Sequence, residues 1–146
     1  MYTAEHIFEM REFNRFYTDL IGLLDNHLLN SDYSLAEARV LFEIFNSGKI
    51  SSTDIVDRLS IDKSYLSRIL KKFEKLELII KTISEADARV LLISLTASGQ
   101  KVFKELDASS NKQIQTLIEG IPIIRLVELV EHMRAIRHIL KKNSDK

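Results

Sequence analysis

The sequence contains no cysteine, one proline and four glycines. Without cysteine there can be no disulfides, thiolate zinc sites or thiol redox sensing. With so little proline and glycine there is little room for the many turns of an all-β fold, which favours a few long helices. No apolar run approaches the roughly 20 residues of a membrane span, so no membrane partner is expected. The opening stretch MYTAEHIFEMREFNRF carries acids and no clean apolar centre, unlike a signal peptide. A cytoplasmic location follows as an expectation. An excess of one charge is missing too: 21 basic and 21 acidic residues balance to zero.

What is present is enough for one ordinary domain: 146 residues, 45% of them hydrophobic. The charges are unevenly spread. Residues 1–40 hold three basic and seven acidic side chains, a balance of −4. Residues 58–81 hold seven basic (Arg58, Lys63, Arg68, Lys71, Lys72, Lys75, Lys81) and three acidic, a balance of +4. A neutral chain with its positive charge gathered on the proposed reading element fits a nucleic-acid contact there. It also fits a solvated helix face.

Apolar residues at helical spacing (Ile7, Met10, Phe13, Tyr17, Leu20, Leu24, with Phe16, Ile21 and Leu28) predict a helix from about residue 4 to 29. Asn30, Ser31 and Asp32 end it. Ser34-Leu35-Ala36-Glu37 reads as a capping box for a helix that buries Ala38, Leu41, Phe42 and Phe45. Ser51 or Ser52 caps the next helix, which turns Ile55, Val56 and Leu59 inward. After a turn at Ser60-Ile61, Asp62 caps a helix running to about Leu76, roughly 22 Å long. Its apolar face is Leu66, Ile69, Leu70, Phe73 and Leu76, and the opposite face is polar and basic.

Two β-rich runs, 78–83 and 89–95, flank a polar tip at 84–88. Thr96 caps a helix over about 97–119, Gly120 and Pro122 punctuate it, and a last helix covers about 123–141, leaving a loose end.

Helix, turn, basic helix and hairpin over 51–99 make a helix-turn-helix followed by a wing. The expected fold is mainly α with a small β-hairpin wing: a winged helix-turn-helix with N- and C-terminal dimerisation helices. The boundaries are 34–95 for the winged helix and 1–30 and 97–142 for the dimerisation helices, within one unit of 1–146.

A helix fits the DNA major groove, and side chains near its N-terminus point at base edges. Here those are Lys63, Ser64, Tyr65, Ser67 and Arg68. Arg68 could pair with a guanine edge or clamp a phosphate. Ser51, Ser52 and Thr53 open a helix whose free amides attract a phosphate, unless they serve only as caps. Lys71 and Lys72 are further phosphate candidates. At the wing, Arg89 suits a narrow minor groove and Asp87 could hold its guanidinium, or the two could form a plain surface pair.

Three stretches together resemble the MarR (multiple-antibiotic-resistance regulator) family. They are Ser34-Leu35-Ala36-Glu37-Ala38-Arg39-Val40-Leu41, residues 62–70, and Asp87-Ala88-Arg89 leading to Leu95-Thr96-Ala97-Ser98-Gly99. The last looks like that family's Asp-x-Arg wing followed by Leu-Thr-x-x-Gly. The resemblance implies a winged-helix homodimer whose first and last helices interlock. It implies a repressor that leaves a near-palindromic double-stranded operator when a small-molecule effector binds. By the same match, Arg89 is the minor-groove residue and Asp87 its partner.

A narrower resemblance, carried by Arg11-Glu12-Phe13-Asn14-Arg15-Phe16-Tyr17 and Ser64-Tyr65-Leu66-Ser67-Arg68-Ile69-Leu70, is to the MarR-type half of two-domain MarR/GNAT proteins. This chain is too short to include an acetyltransferase domain and has no Arg/Gln-x-x-Gly-x-Gly/Ala loop. The DNA-reading half is therefore expected and the enzyme is not. A stand-alone relative and a fragment of a two-domain protein both remain open.

Other chemistry finds little support. His6, His27, His132 and His138 form no His-x-x-x-His pair, and Glu128 with His132 makes only two ligands. No phosphate-binding glycine loop or nucleophile elbow exists, so no enzyme, metal or cofactor is expected. Phe13, Arg15, Tyr17, Arg39 and Phe42, with Phe8, Phe16 and Phe45, could line an effector pocket between the dimer helices and the winged helix. Each could equally be core or salt-bridge material. A winged helix can also dock proteins rather than DNA, which keeps a protein-interaction module as the alternative.

Overall fold

The computed structural model describes residues 1–28 and 31–144. Its backbone divides after Ser110 into two units. The first carries α1 (Ala4–Leu28), α2 (Leu35–Ser47), β1 (Ile50–Ser51), α3 (Ser52–Leu59), α4 (Lys63–Lys75), β2 (Ile79–Ile83), β3 (Leu91–Leu95) and the start of α5 (Ala97–Ile118). The second carries the end of α5 and α6 (Ile123–Ser144). The architecture is mainly α with a small antiparallel sheet, as expected. The predicted end of the first helix at Leu29 and Asn30 lies outside the described residues, as do the last two positions of the expected loose end.

Local chemistry starts and stops these helices. Ser34 forms the full capping box: its hydroxyl accepts from the Glu37 amide at 3.1 Å, and the Glu37 carboxylate accepts from the Ser34 amide at 2.9 Å. Ser51 caps α3, its hydroxyl accepting from the Asp54 amide at 3.2 Å. Asp62 caps α4 by accepting from the Tyr65 amide at 3.1 Å. Between α3 and α4, Ser60 takes the left-handed conformation with φ 51°.

Helix α4 ends in two reverse bonds, Leu78 amide to Phe73 carbonyl at 2.8 Å and Glu77 amide to Glu74 carbonyl at 3.0 Å. That pattern requires a left-handed residue, which here is Glu77 with φ 57° rather than a glycine. Leu76, the C-cap before that turn, still donates to the Lys72 carbonyl at 3.0 Å but is 46% exposed and not part of the inner face.

The sheet order is β1-β3-β2. Strand β3 lies between its neighbours, with Ile93 opposite both Ile50 and Lys81. Sequence reading misses β1, because two residues carry no periodicity and only the pairing with β3 makes Ile50-Ser51 a strand.

The core gathers Leu41, Ile44, Ile50, Ile55, Leu66, Ile69, Leu70, Phe73, Ile93, Phe103 and Leu106, with Phe73 fully buried. On α2 the buried set is Val40, Leu41 and Ile44, while Phe42 and Phe45 are 45% and 40% exposed. The apolar arc of α2 is wide, so spacing alone leaves its phase open. The aliphatic side chains meet the core, and the two phenylalanines turn to its edge against Phe103. Ring centroids there are 4.3 Å apart for Phe45 and 6.2 Å for Phe42.

Thr96 and Gly99 fix the start of α5. The Thr96 hydroxyl accepts from the Gly99 amide at 3.0 Å and donates to the Glu77 carbonyl at 2.7 Å. A Cβ on Gly99 would lie 2.1 Å from the Leu78 carbonyl oxygen. Helix and strand can approach this closely only over a glycine, which explains the Leu-Thr-x-x-Gly pattern.

The two long helices at the chain ends behave differently from this core. Residues 1–19 are all exposed, including Phe8, Phe13, Phe16 and Tyr17. In the second unit, Gly120 turns the chain with φ 86°. Helix α6 then exposes Ile123, Val127, Val130, Met133, Ile136 and Ile139. No described helix is long and apolar enough to cross a membrane.

Candidate nucleic-acid interface

Helix α4 has thirteen residues and so runs about 20 Å. Leu66, Ile69, Leu70 and Phe73 anchor it to the core. That packing leaves Lys63, Ser64, Tyr65, Ser67, Arg68 and Lys71 on the outer, exposed side. These include all five residues expected to face the major groove. The Arg68 guanidinium lies 5.7 Å from the Tyr65 ring centroid, a cation–π contact that holds it near the N-terminal half of the helix.

Lys63, Ser67 and Lys71 also line a groove of about 270 Å³ between α4 and the hairpin, together with Ser52, Lys81 and Leu91. Lys81 of β2 pairs with Glu74 of α4, tying the wing to the helix beside it.

The wing tip is built by its own side chains. The Ser84 hydroxyl accepts from the amides of Ala86 at 3.2 Å and Asp87 at 3.4 Å. Asp87 Oδ1 accepts from the Arg89 amide at 3.0 Å and from Arg89 Nε at 3.3 Å. One carboxylate thus shapes the loop and aims the guanidinium. The Arg89 side chain is 91% exposed. The expected second run begins at Arg89, but β3 begins at Leu91, which leaves Arg89 free in the tip.

The remaining expected contacts divide. Ser52 and Thr53 are exposed at the start of α3. The Ser51 hydroxyl is engaged by its cap. Lys71 is exposed, but Lys72 departs from its expected role as a free phosphate contact. Its ammonium bonds to Glu37 and to the Asp32 carbonyl.

The expected effector pocket does not form as one site within the described chain. Arg39 and Phe42 line a cleft of about 330 Å³ with Leu35, Arg58, Phe103 and Asp107. Phe13 and Tyr17 instead stack on each other along exposed α1, with centroids 5.8 Å apart, and Arg15 pairs with Glu12. Residues three or four apart on one helix find each other before any distant partner. Arg58, which donates to the Ser47 hydroxyl at 2.8 Å, and Phe103 are cleft residues that sequence reasoning missed. Phe103 could have been found from the apolar spacing of α5. Arg58 carries no such signal.

Glu128 and His132 meet at 3.6 Å on α6. Among the described residues no group of three His, Cys, Asp or Glu side chains gathers.

Residues 33–91, from the approach to α2 to the first residue of β3, match the MarR family. The match covers 59 of the chain's 146 residues, the winged helix up to the start of β3. Curated relatives of this chain include the HTH-type transcriptional regulator SarZ of Staphylococcus aureus strain MRSA252. It is 32% identical over 94 residues, 64% of this chain and 64% of SarZ. The match therefore spans a little under two thirds of that relative.

Among solved structures, a mutant of MarR from E. coli complexed with operator DNA superposes with a TM-score of 0.74 at 20% identity. The alignment covers 90% of this chain and 95% of that one. BpsR of Bordetella bronchiseptica, described with a mechanism for regulation of its DNA binding by 6-hydroxynicotinic acid, superposes at 0.71 and 20% identity. The coverage there is 92% of each chain. At these identities the likeness is one of fold, a MarR-type winged helix.

Proposed function

We propose that the protein is a dimeric, sequence-specific DNA-binding transcriptional regulator, a repressor released by a small-molecule effector. Its place of action is the cytoplasm, and it is not an enzyme. The observation that carries the reading is the pairing of two prepared contacts on the MarR domain. Helix α4 presents Lys63, Ser64, Tyr65, Ser67 and Arg68 outward, and the wing presents Arg89 already aimed by Asp87. A helix can read the major groove while an extended arginine enters the adjacent minor groove. Lys71, Ser52 and Thr53 supply phosphate contacts around them.

Residues 34–95 are the reading region, and 1–30 and 97–142 are the pairing helices. The exposed apolar faces of α1 and α6 support pairing with a second copy, since faces of this size are rarely left to solvent. A homodimer presents two readers and selects a near-palindrome with half-sites about one turn, roughly 10 bp, apart. The cleft at Arg39 and Phe42 offers an effector a cation beside aromatic surface.

Selection of duplexes from a random pool with purified protein tests the reading. An inverted repeat should emerge, and Arg89→Ala should bind it about 10-fold more weakly with its circular dichroism unchanged. Selection without enrichment, or equal binding by Arg89→Ala, counts against the assignment. Salt-insensitive capture of a protein partner at α4 or the wing would favour an interaction module instead.

A further inference from the structure

One side chain ties the recognition helix to residues 32–37 at the start of α2. Lys72 Nζ donates to Glu37 Oε1 at 3.1 Å and to the Asp32 carbonyl at 3.0 Å, and the same ion pair brings it within 2.9 Å of Glu37 Oε2. It also lies 5.1 Å from the Tyr33 ring centroid. Both partners are engaged elsewhere as well. The Glu37 side chain is only 12% exposed and closes the capping box of α2. The Tyr33 ring packs against Phe73 of α4, 6.5 Å between centroids. Burial raises the Tyr33 pKa above its usual 10.0, while the Lys72 ammonium pulls it the other way.

The neighbouring lysines differ. Lys71 and Lys75 are exposed, and among the described residues neither forms an ion pair. A phosphate contact at Lys72 would compete with its hydrogen bonds to Glu37 and the Asp32 carbonyl. A half-buried charge held by several acceptors sets geometry strongly, because losing one partner leaves the other poorly solvated.

We propose that Lys72 is a positioning residue. Its tie to Glu37, Asp32 and Tyr33 sets the angle of the recognition helix against the start of α2, and with it the half-site spacing that two paired copies prefer. The proposal rests on the DNA-reading function above. The lever is long enough to matter: a tilt of about 10° over a helix of about 20 Å moves its far end about 3 Å, a full hydrogen-bond length.

The test uses the full chain and the operator selected with the wild type, plus duplexes with the half-sites moved by one and two base pairs. Lys72→Met, Glu37→Gln and the double variant are titrated at several salt concentrations, with thermal melts to confirm folding. A glutamine at 37 keeps an oxygen for the Ser34 amide, so the cap of α2 survives. If Lys72→Met does not fold, Lys72→Gln takes its place.

Each single variant should lose about 10-fold at the selected spacing, the size of a charge-assisted hydrogen-bond pair. Each should also flatten the spacing preference and leave the salt slope unchanged, and the double variant should be no worse than either single. A Lys72 variant that lowers the salt slope by about one while Glu37→Gln does not would overturn the proposal in favour of a phosphate contact. Variants that keep the wild-type affinity and spacing preference, or whose losses simply add, would overturn it too. A wild type that selects no duplex is a distinct result: it removes the DNA-reading function itself, and the positioning role with it.

Discussion

The stretch from α2 to the first half of α5 and the helices α1 and α6 share the same helical periodicity, but they use it in opposite ways. In the first region the apolar side chains close on one another: every buried hydrophobic residue among those described lies between Val40 and Leu106. In α1 and α6 the apolar side chains face outward, with Phe16 at 64% and Ile139 at 60% exposure. Periodicity in a sequence reports that a face needs covering, and does not say which chain covers it. The core of the winged helix closes within one copy, and the apolar faces of α1 and α6 do not.

Four substitutions break or sharpen that contrast. Gly99→Ala strikes the self-contained region hardest. The added Cβ meets the Leu78 carbonyl oxygen at 2.1 Å, and backbone has little room to yield. A loss of about 3 kcal/mol is expected in urea denaturation.

Val130→Glu strikes the other region. A charge in the apolar face of α6 should weaken dimerisation by about 2 kcal/mol or more, about 30-fold, in sedimentation equilibrium. The winged helix should keep its circular dichroism, because Val130 takes no part in the core cluster.

Glu77→Gly sharpens the contrast in the opposite direction. Removing a side chain from a left-handed position should raise stability by about 1 kcal/mol in the same denaturation assay. The Thr96 bond to the residue-77 carbonyl is kept, since it involves only backbone at that position. Lys71→Ala has the smallest expected effect. Operator affinity should fall a few-fold, and the slope against salt concentration should drop by about one with sequence preference unchanged.

The same contrast explains what could be read from the sequence. Caps at Ser34, Asp62 and Thr96 are local chemistry over three residues, and each forms where the sequence places it. The inner face of α4 is legible from Leu66 to Phe73 because one side is apolar and the other charged. Leu76 shares the spacing of that face but sits at the C-cap, where it is 46% exposed, and the left-handed turn at Glu77 that ends the helix there is announced by no residue type. The phase of α2 fails because its apolar arc is wide enough to bury either of two faces.

At the candidate site, Asp87 and Arg89 are two residues apart, and their contact could be inferred from that spacing. The tie of Lys72 to Glu37 joins residues 35 positions apart, and only the fold brings them together. The residues expected to line an effector pocket divide for the converse reason. Phe13, Arg15 and Tyr17 sit on an exposed stretch of α1 and pair along that helix, while Arg39 and Phe42 line a cleft of their own.

The central proposal is that the winged helix reads DNA and the outer helices make two readers from two chains. Sedimentation of the purified chain with a selected inverted-repeat duplex, at low and at high salt, tests both halves at once. The account predicts two chains on each duplex at low salt, released as salt rises while the chains stay paired. One chain per duplex, or a sedimenting mass that the duplex never changes, would contradict it.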